Sequence, residues 1–244
     1  MSATQIAWTQ TTWNPVVGCS KLSPGCKHCY AASLHDKRHR AYLQGKLQSY
    51  PQYARPFSEI QFIPERLDAP LRWRTPRRVF VNSMSDLFHE SVANSQIQAV
   101  LATCEQAPRH TFQILTKRPA RLADFTYPAN VWLGVTVENQ EAADSRIPAL
   151  RAVPATTRFL SCEPLLEPLR LNLAGIHWVI VGGEKAGQRA RPMHPDWARD
   201  IREQCERAGT AFFMKQMTNK ASIPADLMVR QYPDARLSPI TVLI

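Results

Sequence analysis

Six short apolar runs, rich in β-forming residues, each end in polar residues: RVFVNSMSD (78 to 86), TFQILTKRP (111 to 119), VWLGVTVEN (131 to 139), TRFLSCEP (157 to 164), HWVIVGGEK (177 to 185) and TAFFMKQ (210 to 216). Runs so continuously apolar suit strands buried on both faces, the environment of a parallel sheet covered by helices. Helical spacing lies between several of them. In SQIQAVLATCEQA, Ile97, Val100, Leu101 and Cys104 share one face behind the candidate caps Asn94 and Ser95; in PDWARDIREQCERAG, Trp197, Ile201 and Cys205 repeat the spacing. The predicted fold is α/β, built of βα units. Polar residues at nearly every strand end favour a partial (β/α) TIM-like barrel with parallel strands over a doubly wound sheet. A length of 244 residues is enough for one core, and we expect one barrel domain over 1–217 with a C-terminal extension at 218–244.

In such a barrel the functional groups sit at the carboxyl ends of the strands. Those ends read Ser83, Ser85 and Asp86; Thr116, Lys117 and Arg118; Glu138 and Asn139; Cys162 and Glu163; Glu184 and Lys185; Lys215 and Gln216, and all are expected at one mouth. The three glutamates suit either ligand contacts or solvated charges at loop starts. Lys117 and Arg118 suit a bound phosphate or carboxylate, or ion pairs with those glutamates. Residues 41 to 77 are the least regular part and, with the extension, are candidates for lids or partner surfaces.

The stretch GCSKLSPGCKHCYA places Cys19, Cys26 and Cys29 within eleven residues, following a short strand expected near 13 to 18, while Cys104, Cys162 and Cys205 lie far away. A closed structural zinc site takes four protein ligands, so a local set of three implies a distant fourth or a position left open for chemistry. Three thiolates on a Gly- and Pro-containing loop can hold three irons of a [4Fe–4S] cluster and leave the fourth iron open. S-adenosylmethionine can chelate that iron, and one electron then cleaves its sulfonium to a 5′-deoxyadenosyl radical. On spacing alone a zinc site completed by His28 or a distant ligand fits equally well. Cys104 and Cys205 fall on apolar helix faces, where a free cysteine packs as a small hydrophobe; Cys162 is read the same way, with hydrogen-atom donation to a substrate radical as its alternative role.

The blocks TTWNPVVGCSKLSPGCKHCYA, FVNSMSDLFHE, FQILTKRP, NVWLGVTVENQEAADSRIPAL, RFLSCEPLLEPL, WVIVGGE and FFMKQ together resemble the phage Gp37/Gp68 protein family, itself similar to radical S-adenosylmethionine enzymes and within these nearest to the spore photoproduct lyase group. The resemblance implies a partial barrel of the radical S-adenosylmethionine type, a [4Fe–4S] cluster on Cys19, Cys26 and Cys29, and S-adenosylmethionine as cofactor. The CX6CX2C spacing departs from the CX3CX2C arrangement commonest in that superfamily. By the same resemblance, His28 and Tyr30 stand where an aromatic packs near the adenine, and Ser83, Ser85 and Asp86 match the element that holds the methionyl group. Glu138, Glu163 and Glu184 complete the candidate cofactor contacts, and Cys162 is the candidate hydrogen donor. GGEKAG replaces the expected GGESG, and Cys162 stands where a small apolar residue is common.

Thirty Lys and Arg against twenty Asp and Glu leave a formal charge of +10, which favours an anionic partner. HDKRHR (35 to 40) and RWRTPRR (72 to 78) are candidate phosphate-binding runs, with Arg72, Arg74, Arg77 and Arg78 as contacts to DNA or RNA and Trp73 as a stacking surface; a solvated face is the ordinary alternative. The amino terminus has no leader pattern and no window is apolar enough to span a membrane, so a cytoplasmic location is expected. The leading expectation is a radical S-adenosylmethionine enzyme, served by an electron donor and acting on a nucleic-acid base or nucleotide, with or without a partner protein. The alternatives are a non-enzymatic nucleic-acid-binding protein with a structural zinc or iron–sulfur centre, and a radical enzyme acting on a peptide or small molecule.

Overall fold

The computed structural model describes residues 4–233 and, as backbone, 240–242. The chain divides into two compact units, Met1–Arg118 with Tyr127–Val131, and Pro119–Thr126 with Trp132–Ile244. The division falls near residues 118 to 132 and not at the expected boundary of 217/218; part of the extension expected at 218–244 lies outside the described residues.

The first unit runs β1 (Thr11–Trp13), β2 (Val16–Val17), α1 (Tyr30–Leu43), β3 (Gln61–Phe62), β4 (Arg78–Val81), α2 (Asn94–Gln106) and β5 (Thr111–Thr116). β1, β4 and β5 are parallel neighbours, with Thr11 opposite Val79 and Val81 opposite Ile114; β2 and β3 form a separate antiparallel pair. Burial of Val79, Phe80, Val81, Phe112 and Ile114 explains the unbroken apolar runs. Helix α2 buries Ile97, Val100, Leu101 and Cys104 as the spacing predicts. Asn94 and Ser95 lie inside its first turn; the capping position is Ala93, whose N–H donates to the Gln96 side chain at 3.1 Å. Asn130 donates to the carbonyls of Cys104, Ala107 and His110, satisfying acceptors that the end of a helix leaves open.

The second unit runs β6 (Val131–Thr136), α3 (Gln140–Arg151), β7 (Thr157–Cys162), β8 (Trp178–Gly182), α4 (Pro195–Ala208), β9 (Ala211–Gln216), β10 (Arg230–Tyr232) and β11 (Ile240–Val242). β6 to β9 are parallel neighbours in sequence order. β10 then adds antiparallel to β9 and β11 to β10, so residues beyond 218 extend the sheet. Trp178 is wholly buried and donates its indole N–H to Gln231 O at 2.9 Å. A Cβ on Gly134 of β6 would stand 2.5 Å from the Phe159 ring of β7, so that ring fits only against glycine.

Both units are α/β with parallel strands, as expected. All six apolar runs form strands, and five of them end two to five residues before the runs do. Among the described residues no helix is long and apolar enough to cross a membrane.

Candidate functional site

The cysteine loop of the first unit is tied down before its first ligand. Gly18 N donates to Met84 O at 3.0 Å and Cys19 N to Phe57 O at 2.8 Å. Gly18 has φ +98°, and a Cβ there would stand 2.4 Å from Glu59 O. Gly18→Ala is therefore expected to cost about 2–4 kcal/mol from backbone strain and overpacking together, measured as a lower urea midpoint. Cys26 ends a single helical turn at Pro24–Cys26. Cys29 caps α1 and accepts from Ser33 N at 3.1 Å.

All six cysteines are free, but they form two populations. Cys19, Cys26 and Cys29 are half-buried on the loop, whereas Cys104, Cys162 and Cys205 are buried in the core. Cys162 has no exposed surface, and burial holds its thiol well above the ordinary value, as suits the packing of a small hydrophobe. Burial and the Asp86 carboxylate push the Cys19 thiol up to about 11 against the opposing pull of Arg118. At Cys26 burial also pushes upward, but hydrogen bonds at Leu22 and Ser23 and the Lys117 ammonium outweigh it and leave the thiol below its usual value.

The serine and aspartate residues after β4 turn toward protein. Asn82, at φ 60°, bends the chain and accepts from Val16 N at 3.2 Å. Ser83 Oγ donates to Asn14 Oδ1 at 3.1 Å, Ser85 Oγ to Val16 O at 2.9 Å, and Tyr30 OH to Ser83 O at 2.7 Å. These groups staple the strand end to the start of the cysteine loop. Asp86, expected to face a ligand, is buried with all four contacts inside the protein. Its Oδ1 accepts from Phe88 N at 3.0 Å and Thr116 Oγ1 at 2.7 Å, and its Oδ2 from Lys117 N at 3.0 Å and Arg118 Nη1 at 3.5 Å. His28 is half-buried in the turn between Cys26 and Cys29.

Arg118 joins these pieces. Its Nη1 lies 3.8 Å from Cys19 Sγ, its Nη2 donates to Ser20 O at 3.2 Å and Ser20 Oγ at 2.9 Å, and its Nε donates to Glu90 Oε2 at 2.9 Å. Of the two readings open for Arg118, a bound anion or an ion pair with a strand-end glutamate, the structure shows ion pairs, made with Asp86 and Glu90. Ser20 Oγ also lies 2.8 Å from His89 Nε2. Ser91 N donates to His89 Nδ1 at 3.1 Å, so Nδ1 is the bare nitrogen and Nε2 carries the proton. His89 thus donates to Ser20 and cannot serve as its base, which removes a Ser–His nucleophile from consideration.

In the second unit the three strand-end glutamates meet cations instead of open space. Glu138 is wholly buried and accepts from Arg146 Nη1 at 2.8 Å; the same nitrogen donates to Thr136 O at 2.7 Å. Glu163 pairs with Lys215. Glu184 accepts from the backbone N–H of Arg191 at 2.9 Å and from its guanidinium. The GGEKAG loop is held by Asn219, whose Oδ1 accepts from Ala186 N at 3.1 Å and Gly187 N at 3.0 Å. Each of these acids has a cation partner inside the protein, and Glu163 keeps one buried oxygen, Oε1, without a hydrogen-bond partner. In RWRTPRR, Trp73 is 9% exposed, packs on His110 at 5.7 Å and lies under Arg77, so its ring is not presented to bases; Arg72 and Arg74 are exposed.

Among the described residues no three His, Cys, Asp or Glu side chains are grouped so that they could hold a metal ion. An iron–sulfur cube binds its thiolates through different irons, so its ligands need not meet at one point. Three free, half-buried thiols on one loop, with a guanidinium N–H at the first, are a donor set that fits such a centre.

Fold and loop together describe an α/β protein that carries three free, half-buried cysteines on the loop after β2. The family model described as "Protein of unknown function (DUF5131)" matches residues 3–233, and the chain belongs to that family. No curated protein and no solved structure matches it.

Proposed function

We propose that this protein is a radical S-adenosylmethionine enzyme in which Cys19, Cys26 and Cys29 hold a [4Fe–4S] cluster. The observation that carries the reading is the division of the cysteines: the three on the loop are free and half-buried, and the three elsewhere are sealed in the core. When bound, the cluster and S-adenosylmethionine supply a 5′-deoxyadenosyl radical able to take a hydrogen atom from a substrate. The chain's own part is to fix the loop through Gly18, Cys19, Ser83 and Ser85, and to keep Tyr30 at its edge. The partial TIM-like barrel of that enzyme class belongs to the same proposal, supported by the parallel βα succession of each unit.

A nucleic-acid base or nucleotide is the proposed substrate class, on the charge of +10 and the exposed Arg72 and Arg74. A base in a duplex would have to be flipped out to be reached. Anaerobic reconstitution followed by assay for iron, sulfide and 5′-deoxyadenosine tests the first part. Iron uptake with S-adenosylmethionine cleavage is expected; a colourless protein carrying one zinc would sink the reading. For the second part, binding to single-stranded DNA or RNA is expected to weaken as salt rises. Absence of binding at low salt would leave a peptide or small molecule as substrate.

A further inference from the structure

Resting on that reading, we infer that Arg118 is a positioning residue that sets the electron affinity of the centre held by Cys19, because it places a positive charge and an N–H donor between the sulfur and the Asp86 carboxylate. Nη1 is the shared atom, 3.8 Å from Cys19 Sγ and 3.5 Å from Asp86 Oδ2. The other guanidinium nitrogens fix its direction, Nη2 on Ser20 O and Oγ and Nε on Glu90. Only a planar fork can make these bonds at once; a lysine would keep the charge and lose the aim. The side chain is 10% exposed, so water and salt screen its field weakly.

Hydrogen bonds to the sulfurs and nearby charge tune iron–sulfur potentials. An added electron makes the thiolate set more negative, which Arg118 favours and Asp86 opposes. The carboxylate is held in place by Phe88 N, Thr116 Oγ1 and Lys117 N independently of Arg118. Removing the guanidinium therefore takes away a favourable charge and uncovers an unfavourable one. Asp86 acts on the site through Arg118 and by its own field.

The test is a titration of the reconstituted protein with dithionite, which is oxidised to sulfite and supplies one electron per site, followed by electron paramagnetic resonance. For Arg118→Gln the reduced-to-oxidised ratio at a fixed potential is expected to fall at least about tenfold, a displacement of about 59 mV for one electron. Asp86→Asn should move it in the opposite direction. Asp86→Asn with Arg118→Gln, which leaves no buried carboxylate unpaired, should return within about threefold of the parent. Arg118→Lys should stay near the parent ratio while amide exchange at Ser20 and Lys21 accelerates. The inference is overturned if the parent takes up the cluster and Arg118→Gln leaves the ratio unchanged, or if Asp86→Asn moves it in the same direction as Arg118→Gln. A parent that takes up no iron overturns the functional reading, and this inference falls with it.

Discussion

Cys19→Ala, Cys26→Ala and Cys29→Ala are each expected to bring iron and sulfide content to background after anaerobic reconstitution, with loss of the broad visible absorbance. Each thiolate would carry its own iron, and two ligands on a half-buried loop leave the cluster open to solvent and hydrolysis. Cys104→Ala and Cys205→Ala are expected to retain full iron content. Their thiols are wholly buried among apolar neighbours, so the cost is a small cavity, about 1–2 kcal/mol of stability. The contrast is what gives the experiment its force, because a general loss of fold would empty the core variants too. Loss of iron in Cys104→Ala, measured on folded protein, would show that the division between loop and core has no chemical meaning.

Arg146→Met is expected to destabilise the protein by about 3–5 kcal/mol, seen as a lower denaturant midpoint, because it takes the guanidinium away from a carboxylate that has no access to water. Glu138 is 0% exposed, and Arg146 Nη1 is its partner at 2.8 Å. Combining Glu138→Leu with Arg146→Met should recover much of the loss, since two apolar side chains replace a buried ion pair at little net cost. Recovery should stop short of the parent, because Nη1 also serves Thr136 O and an unpaired buried carbonyl costs about 1–3 kcal/mol. A single variant as stable as the parent would mean that water reaches Glu138.

Strand positions were legible because buried parallel strands must be apolar along their whole length; β4 to β9 all lie inside the runs that announced them. Their ends were less so. NSMSD and CEP look continuous with their strands, yet Asn82 takes a left-handed turn and Glu163 leaves the sheet toward Lys215. The cysteine loop was legible from spacing. Arg118 was not, since its partners Cys19 and Ser20 are nearly a hundred residues away and only folding brings them together. Arg146 did leave a signal. It falls among Ala142, Ala143, Ile147 and Leu150 on the buried face of α3, and an arginine on the apolar face of a helix requires a buried acid. Glu138, two residues before that helix begins, is that acid. The cation partners of Glu163 and Glu184, Lys215 and Arg191, were not legible from the strand ends taken alone.

The backbone ties of the cysteine loop bear on how the protein ages. Small zinc domains lose their fold with their metal, but here Gly18 and Cys19 are held by Met84 and Phe57, and Ser83 and Ser85 by Asn14 and Val16, through bonds that involve no metal. On the proposed function, loss of the cluster to oxygen would leave these ties in place. Reloading with iron and sulfide would then not require the chain to fold again, and repair rather than resynthesis would set its working life.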